Sequence, residues 1–519
     1  MSSARTTAAP LGDLAAVLSN ITRGSGGTSP VVEVFTGATV VNVPVATEND
    51  VRSAAQRARE AQGGWSTWPV ERRMEVFRRF HELVLQNQAR IADLVQIETG
   101  KSRRSAFEEF CDIPMVLSHY LKHGPRVLRT RRVPGAMPLI TSAHVVRRPR
   151  GVVGILAPWN FPFAIGFCDA IPALMAGNAV LLKPDHRTPL SPAFGLGLLK
   201  EAGLPEGVMQ IVTAPGAAAG EAVIDNSDFA MFTGSTATGR AVAARAGQRL
   251  IGSCLELGGK NPMIVLEDAD IDVAVQQLVP GVFRNSGQLC LHIERVLVDK
   301  RRYPELREKL LRAVGEMVVA PGYEYGVDMG ALANADQVQR VHTHVEGARS
   351  AGADVLIGGE PRPDLGPTFY APTVLENVTR DMAVASEETF GPVVSIAPFD
   401  TIDAAITAAN DTDYGLSASV WGGNTRRARE VGARIEAGHV NVNDCVAMAY
   451  SSKNAPSGGM KASGIGERNG DQGLLKFTDA TTIATLKRPL PTPTTRDEDE
   501  TAVKRTIPAL RLMRRLKIR

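Results

Sequence analysis

GVVGILAPWNFPFAIGFCDAIPALMAGNAVLLKP, residues 151–184, holds two short apolar runs, VVGILA and AVLLK, separated by a segment of helical length. The pattern continues with VMQIVT, FAMFT and LIGSCLE up to Glu256. Strand-length apolar runs that alternate with helix-length segments predict βαβ units, so the fold class is α/β with a parallel sheet. Ligands of such a sheet bind beyond the carboxyl ends of its strands, so the residues just after each run carry the chemistry. They are Trp159 and Asn160 after the first run, Lys183 and Pro184 at the end of the second, Gly234 and Ser235 after FAMFT, and Glu256, Leu257 and Gly258 after the last.

On either side the pattern changes. Residues 48–123 place apolar side chains at helical spacing, with Gly100 where a helix would stop. Residues 126–150 are basic and β-prone and read as an extended hairpin or arm. A second α/β portion runs from 257 to 455, with PMIVL, RVLVD, VVSIAPF, SASVWG and HVNVN as its strands, and LLKFTDATTIATLK adds a further β-like segment. Residues 1–30 read as a flexible arm. After Pro489, Pro491 and Pro493 come an acidic run, Asp497 to Glu500, and a basic end. There Ala509, Leu512, Met513 and Leu516 share one helical face, a pattern suited to weak contact with an anionic membrane surface, though short for an isolated helix.

The 519 residues are long enough for large buried cores. No apolar run suits a membrane span and no secretory signal opens the chain, so the expected compartment is the cytoplasm. Five scattered cysteines without CxxC spacing indicate neither a disulfide framework nor a structural metal site. The net charge of +3 comes from the basic end; the remainder is mildly acidic, which argues against nucleic acid as a partner.

Individually, the candidate residues leave alternatives open. GSTATG (234–239) follows a strand and opens a helix, so it suits either a phosphate on the backbone amides or an ordinary turn capped by Ser235 or Thr236. Lys183 ends a buried strand, where it either meets cofactor oxygens or reaches solvent. Gly464-Ile465-Gly466 follows no strand run and reads as a loop. Cys290, in FRNSGQLC, sits in a glycine-containing turn without a bulky shield, a setting for an accessible thiolate nucleophile, although a lone cysteine is more often buried filler.

In combination, PWNFP (158–162), KP (183–184), FTGST (232–236), LELGGKNP (255–262), GQLC (287–290) and EETFGPV (387–393) resemble, in order and spacing, the aldehyde dehydrogenase superfamily. The resemblance implies a Rossmann-like cofactor domain (31–125 and 151–256), an α/β catalytic domain (257–455), an oligomerisation arm of two β segments (126–150 and 471–488) that makes a homodimer or homotetramer, and a separable linker and tail (489–519). It further implies that Cys290 attacks an aldehyde carbon, that the Asn160 amide and the Cys290 N–H hold the oxyanion, and that Glu256 activates the water that hydrolyses the thioester. NAD or NADP would be held by Trp159, Lys183, Pro184, His186, Gly216, Gly234, Ser235, Leu257, Gly258, Glu388 and Phe390, with Lys260 and Asn261 behind the site.

Family members restricted to NAD tend to carry an acid three residues after the strand-end lysine. Here that position is His186, followed by Arg187, which favours NADP slightly, while Asp185 lies close by. The chain looks most similar to bacterial succinate-semialdehyde dehydrogenases of the second type, which grip a distal carboxylate with two arginines and a serine. Arg284 matches one arginine and Ser451 or Ser452 the serine, but the other arginine position falls on Cys168, and Phe161, Phe163 and Phe167 make that wall apolar. An uncharged aliphatic or aromatic aldehyde therefore competes as substrate. A coenzyme-A-acylating relative is disfavoured by Glu256, and a catalytically silent one by the intact Asn160, Glu256 and Cys290 set.

Overall fold

The computed structural model describes residues 10–135, 137, 140–445, 452–488 and 492–515. The expected strands form as read. Gly252–Glu256, Phe229–Thr233, Val152–Leu156, Ala179–Lys183 and Met209–Ile211 make a parallel sheet in that spatial order. Outside its first strand lies Gly464–Ile465, paired antiparallel with Glu256 and Leu255. The segment expected to be a loop is thus an edge strand, because the open edge beside Glu256 supplies a partner that a two-residue sequence cannot announce.

The chain passes from Glu256 through four residues into Asn261–Val265, a strand of the second sheet. That sheet runs Asp354–Ile357, Thr373–Glu376, Val393–Phe399, Ile293–Asp299, Asn261–Val265, Ser417–Trp421 and His439–Val442, parallel except at Asp354–Ile357. A third, antiparallel sheet joins Thr478–Leu486, Thr141–Pro149 and Arg131–Pro134. The residues before Thr478 are helical (Gly470–Leu475) and not β-like, and the helix preceding the arm extends to Leu128.

Four helices, Glu48–Ser66, Val70–Gln86, Gln88–Thr99 and Arg103–Leu128, cover residues 48–128. Thr47 and Asp50 form a reciprocal cap at the first, and Gly100, in the left-handed region, ends the third. The apolar faces of the last three join Phe163, Phe167, Val180 and Leu182 in the largest core, while Val51, Ala54, Ala55 and Ala58 of the first pack with Val152, Ala179 and Leu181. The N-terminal stretch is packed and not a loose arm from residue 10 on: Leu14–Leu18 forms a helix capped by Asp13, and Val17 and Ile21 are buried. The basic end forms one helix, Arg496–Arg515, that includes the acidic run and Pro508 and buries no residue. Leu516, expected on its apolar face, lies outside the described residues. Among the described residues no helix is long and apolar enough to cross a membrane.

Candidate active site

A cavity of about 170 Å³ opens at the carboxyl ends of both sheets, lined by Trp159, Asn160, Thr233, Gly234, Ser235, Glu256, Leu257, Gly258, Cys290, Glu388 and Phe390 among others. Trp159, Gly234 and Ser235 also line a neighbouring cavity of about 630 Å³ that reaches Lys183, Asp185 and Gly216. A single groove therefore collects residues from six distant sequence motifs. Ser235 caps the helix Thr236–Gln248 by accepting the Thr238 N–H at 3.3 Å, as the turn reading of GSTATG expects, and it also lines the groove.

Cys290 follows a one-turn segment in which Asn285, Ser286 and Gly287 all have positive φ. Side chains and neighbouring backbone pin this backbone down: Ser286 Oγ donates to the Gly330 and Ala331 carbonyls, Asn285 Nδ2 donates to the Asn160 and Gln288 carbonyls, and a Cβ on Gly287 would lie 2.0 Å from the Gly391 carbonyl. The Asn261 Nδ2 donates to the Cys290 and His292 carbonyls, at 2.7 and 2.8 Å. Cys290 itself is half-buried. Burial, with Glu388 and Glu256 nearby, pushes its thiol up to about 12, so the protein alone does not favour the thiolate.

Glu256 is buried, and its Oε1 has no hydrogen-bond partner among the described residues. Burial raises it from an ordinary value near 4.5 to about 7, against the pull of Arg468 and Lys476. Asn160 is fixed by its backbone: its carbonyl accepts from the fully buried Lys101 Nζ at 2.7 Å, and its side-chain amide donates to Gln288 at 3.0 Å. Lys101 in turn pairs with Glu109 at 2.6 Å, which accepts the Phe163 and Ala164 amides at the start of the next helix. Phe390 stands 5.6 Å from Trp159, edge to face, and its amide, with that of Thr389, donates to the buried Glu294 paired with Lys260. Glu388 accepts the Gly259 amide at 3.0 Å.

Other expected site residues are engaged by neighbouring side chains or buried in the core. Phe167 is fully buried between Phe80 and Phe163, because helical spacing puts 163 and 167 on one core-facing side. Phe161 is buried under the Lys101 ammonium, 4.0 Å from its ring centre. Cys168 points its Sγ at Asp169 and the Ile165 carbonyl, and burial pushes its thiol up. Arg284 forms an ion pair with Glu108 at 3.2 Å, without hydrogen-bond alignment, so its charge is already countered. Arg187, one of the two potential cations beside the expected cofactor site, is held twice by Asp185, at 2.8 and 3.0 Å; half-exposed His186 sits 3.5 Å from the same carboxylate. Ser452 is half-buried, and Ser451 lies outside the described residues.

Lys101, Glu108, Glu109, Asp169, Arg468 and Lys476 escaped sequence reading. Asp169 carried a signal: it is the lone acid in FPFAIGFCDAIPALMAG, where a buried charge demands a partner.

The chain belongs to the aldehyde dehydrogenase family, whose model matches residues 21–483. It is 46% identical over 458 residues, 88% of this chain and 89% of the relative, to a Mycolicibacterium smegmatis protein named "Putative succinate-semialdehyde dehydrogenase [NADP(+)]". It is 34% identical to a mitochondrial succinate-semialdehyde dehydrogenase of Oryza sativa subsp. japonica, over 88% of this chain and 85% of that one. Among solved structures, betaine aldehyde dehydrogenase from Staphylococcus aureus in complex with NAD+ superposes with a TM-score of 0.87 at 28% identity, covering 92% and 96% of the two chains.

Proposed function

We propose that this protein oxidises succinate semialdehyde to succinate with NADP or NAD, through a cysteine-bound thiohemiacetal and thioester. The observation that carries this reading is the convergence of Cys290, Glu256 and Asn160 on one small cavity beside Phe390 and Trp159.

The groove fits a dinucleotide on its own features. Ser235 and Thr238, at the start of the capped helix Thr236–Gln248, line the larger cavity together with Lys183, and the Gly258 backbone closes so tightly on Glu388 that a Cβ there would meet the carboxylate at 2.4 Å. Trp159, Pro184, His186, Gly216, Gly234, Ser235, Leu257, Glu388 and Phe390 complete the set that would hold it. A bound nicotinamide dinucleotide supplies a cationic ring that favours the cysteine thiolate and accepts the hydride. The Cys290 thiol gives its proton to water, and the sulfur attacks the aldehyde carbon. The Asn160 amide and the Cys290 N–H hold the oxyanion, each preorganised donor being worth about 2.7 to 4 kcal/mol. Glu256 then takes a proton from water, which hydrolyses the thioester. Cys290→Ala abolishes reduced-cofactor formation with any aldehyde; Glu256→Gln gives one burst and stalls. Unimpaired turnover in either variant removes that residue from its role.

Relatives named for the NADP-dependent reaction, and Arg284 near the site, support succinate semialdehyde. Specific observations favour a second substrate class, an uncharged aldehyde: Glu108 already counters Arg284, and Cys168 replaces a second arginine. The ratio of kcat/KM for succinate semialdehyde to that for pentanal decides. Arg284→Ala lowers it roughly ten- to a hundred-fold if the guanidinium grips the distal carboxylate, since a charged hydrogen bond contributes about 1.5 to 3 kcal/mol; an unchanged ratio favours the uncharged substrate.

We place the enzyme in the cytoplasm, its cysteines reduced, as a homodimer or homotetramer joined through the three-stranded arm. The terminal helix, which exposes Leu512 on the face it shares with Ala509 and Met513, with Arg511, Arg514 and Arg515 largely opposite, suits a weak contact with anionic lipid.

A further inference from the structure

Beneath Glu256 lies a buried ion cluster that the reaction just described leaves unused. Asp169, 1% exposed at its side chain, accepts Arg468 Nε at 2.9 Å and Nη2 at 2.7 Å on one oxygen, and Lys476 Nζ at 2.9 Å on the other. Two cations thus share one carboxylate, leaving one positive charge in excess. Arg468 Nη2 also donates to Thr233 Oγ1 at 2.5 Å, and Thr233 is the strand neighbour of Glu256. Lys476 lies 3.6 Å from Cys254 Sγ and 3.7 Å from Met231 Sδ, the residues two places earlier on the same two strands. Alternation along a strand puts Cys254 on the face of Glu256 and Met231 on that of Thr233, so both cations underlie the face from which Glu256 projects.

We propose that Arg468, anchored by Asp169 and seconded by Lys476, is a positioning residue for the hydrolytic half-reaction: its guanidinium keeps Glu256 in the carboxylate form. The proposal rests on Glu256 being the base. The unpartnered Oε1 leaves charge, and not a direct hydrogen bond, as the means by which the protein holds that state. The charged and titratable groups around Glu256 are Arg468 and Lys476, which favour its ionised form, Asp169, which opposes them, and the thiols of Cys254 and Cys290. Burial dominates and lifts Glu256 to about 7; the two cations stop the rise there. Arg468 itself is held well above the ordinary arginine value, so it exchanges no proton and acts by its field alone.

The sign follows. Loss of the Arg468 charge raises the proton affinity of Glu256, so the acidic limb of kcat moves to higher pH by about one unit. Loss of the Asp169 charge moves it to lower pH. The experiment measures kcat, kcat/KM and burst amplitude from pH 5.5 to 9.5 in Arg468→Gln, Arg468→Lys and Asp169→Asn, with circular dichroism to confirm folding. Expected are an upward limb shift, a retained burst and an unchanged kcat/KM in Arg468→Gln, recovery of most of the limb in Arg468→Lys, and an opposite shift in Asp169→Asn. A purely structural role lowers all parameters together without moving the limb. Lys476→Gln, with the same upward sign, carries the test if Arg468→Gln does not fold. A folded cation-loss variant whose limb stays in place overturns the proposal. Glu256→Gln, run in parallel, separates the two readings: if it turns over normally the base assignment fails, whereas a stall there with an unmoved limb in Arg468→Gln sinks this proposal alone.

Discussion

The site's acids are set by burial more than by neighbours, and that leaves a mark on stability as well as rate. Glu256 and Glu388, and Glu98 outside the site, buried against the Leu190 and Ser191 amides, have folded values raised from 4.5 to about 7, 7 and 8. Between the unfolded and folded values the native state binds more protons, so stability is present below pH 4.5 and falls as pH rises toward 8. The protein is expected to melt at a higher temperature at pH 6 than at pH 8, with Glu256→Gln reducing the difference, as calorimetry in the two buffers would reveal. Lys101 illustrates the opposite case, a buried charge that cannot lose its partner. Lys101→Met leaves Glu109 uncompensated and releases the Asn160 carbonyl, for an expected loss of about 3 to 5 kcal/mol in urea unfolding.

At the scale of elements, the segment before Cys290 is held in a conformation that only glycine adopts easily at its last position. Gly287→Ala combines a φ of 71° with collision against the Gly391 carbonyl, so kcat/KM should drop at least roughly tenfold while far-ultraviolet dichroism stays the same. The parallel strands, the Gly100 stop and the Ser235 cap were legible because each depends on local pattern or capping chemistry. Gly464–Ile465 was not, since its pairing comes from an edge built 200 residues earlier. Asp354–Ile357 and Thr373–Glu376 escaped for a related reason, being short strands at the side of the second sheet. Within the site, Cys290, Glu256 and Asn160 were readable from strand ends and motif spacing. The protonation of Cys290, the capture of Arg284 by Glu108 and the burial of Phe167 depend on helices packed from elsewhere, which no linear spacing encodes.

For the whole molecule, the family match ends at residue 483, and the terminal helix buries nothing. Removal of residues 489–519 is expected to leave kcat/KM within twofold, checked in the same assay, and to lower co-sedimentation with anionic vesicles. The arm sheet exposes Ile483 at 47% and Leu486 at 53%, the apolar surface on which subunits would join. Replacing both with lysine should halve the mass seen by light scattering. The loop before Cys290 takes its partners from Ser105, Asn160, Gly330, Ala331 and Gly391, spread over nearly three hundred residues. Its local bonds, between Asn285 and Gln288, are outnumbered by those to distant segments, so it is expected to form only once those segments have met. A refolding chain would regain its helices first and its turnover last, and any lag between the two would time the docking of one half of the molecule onto the other.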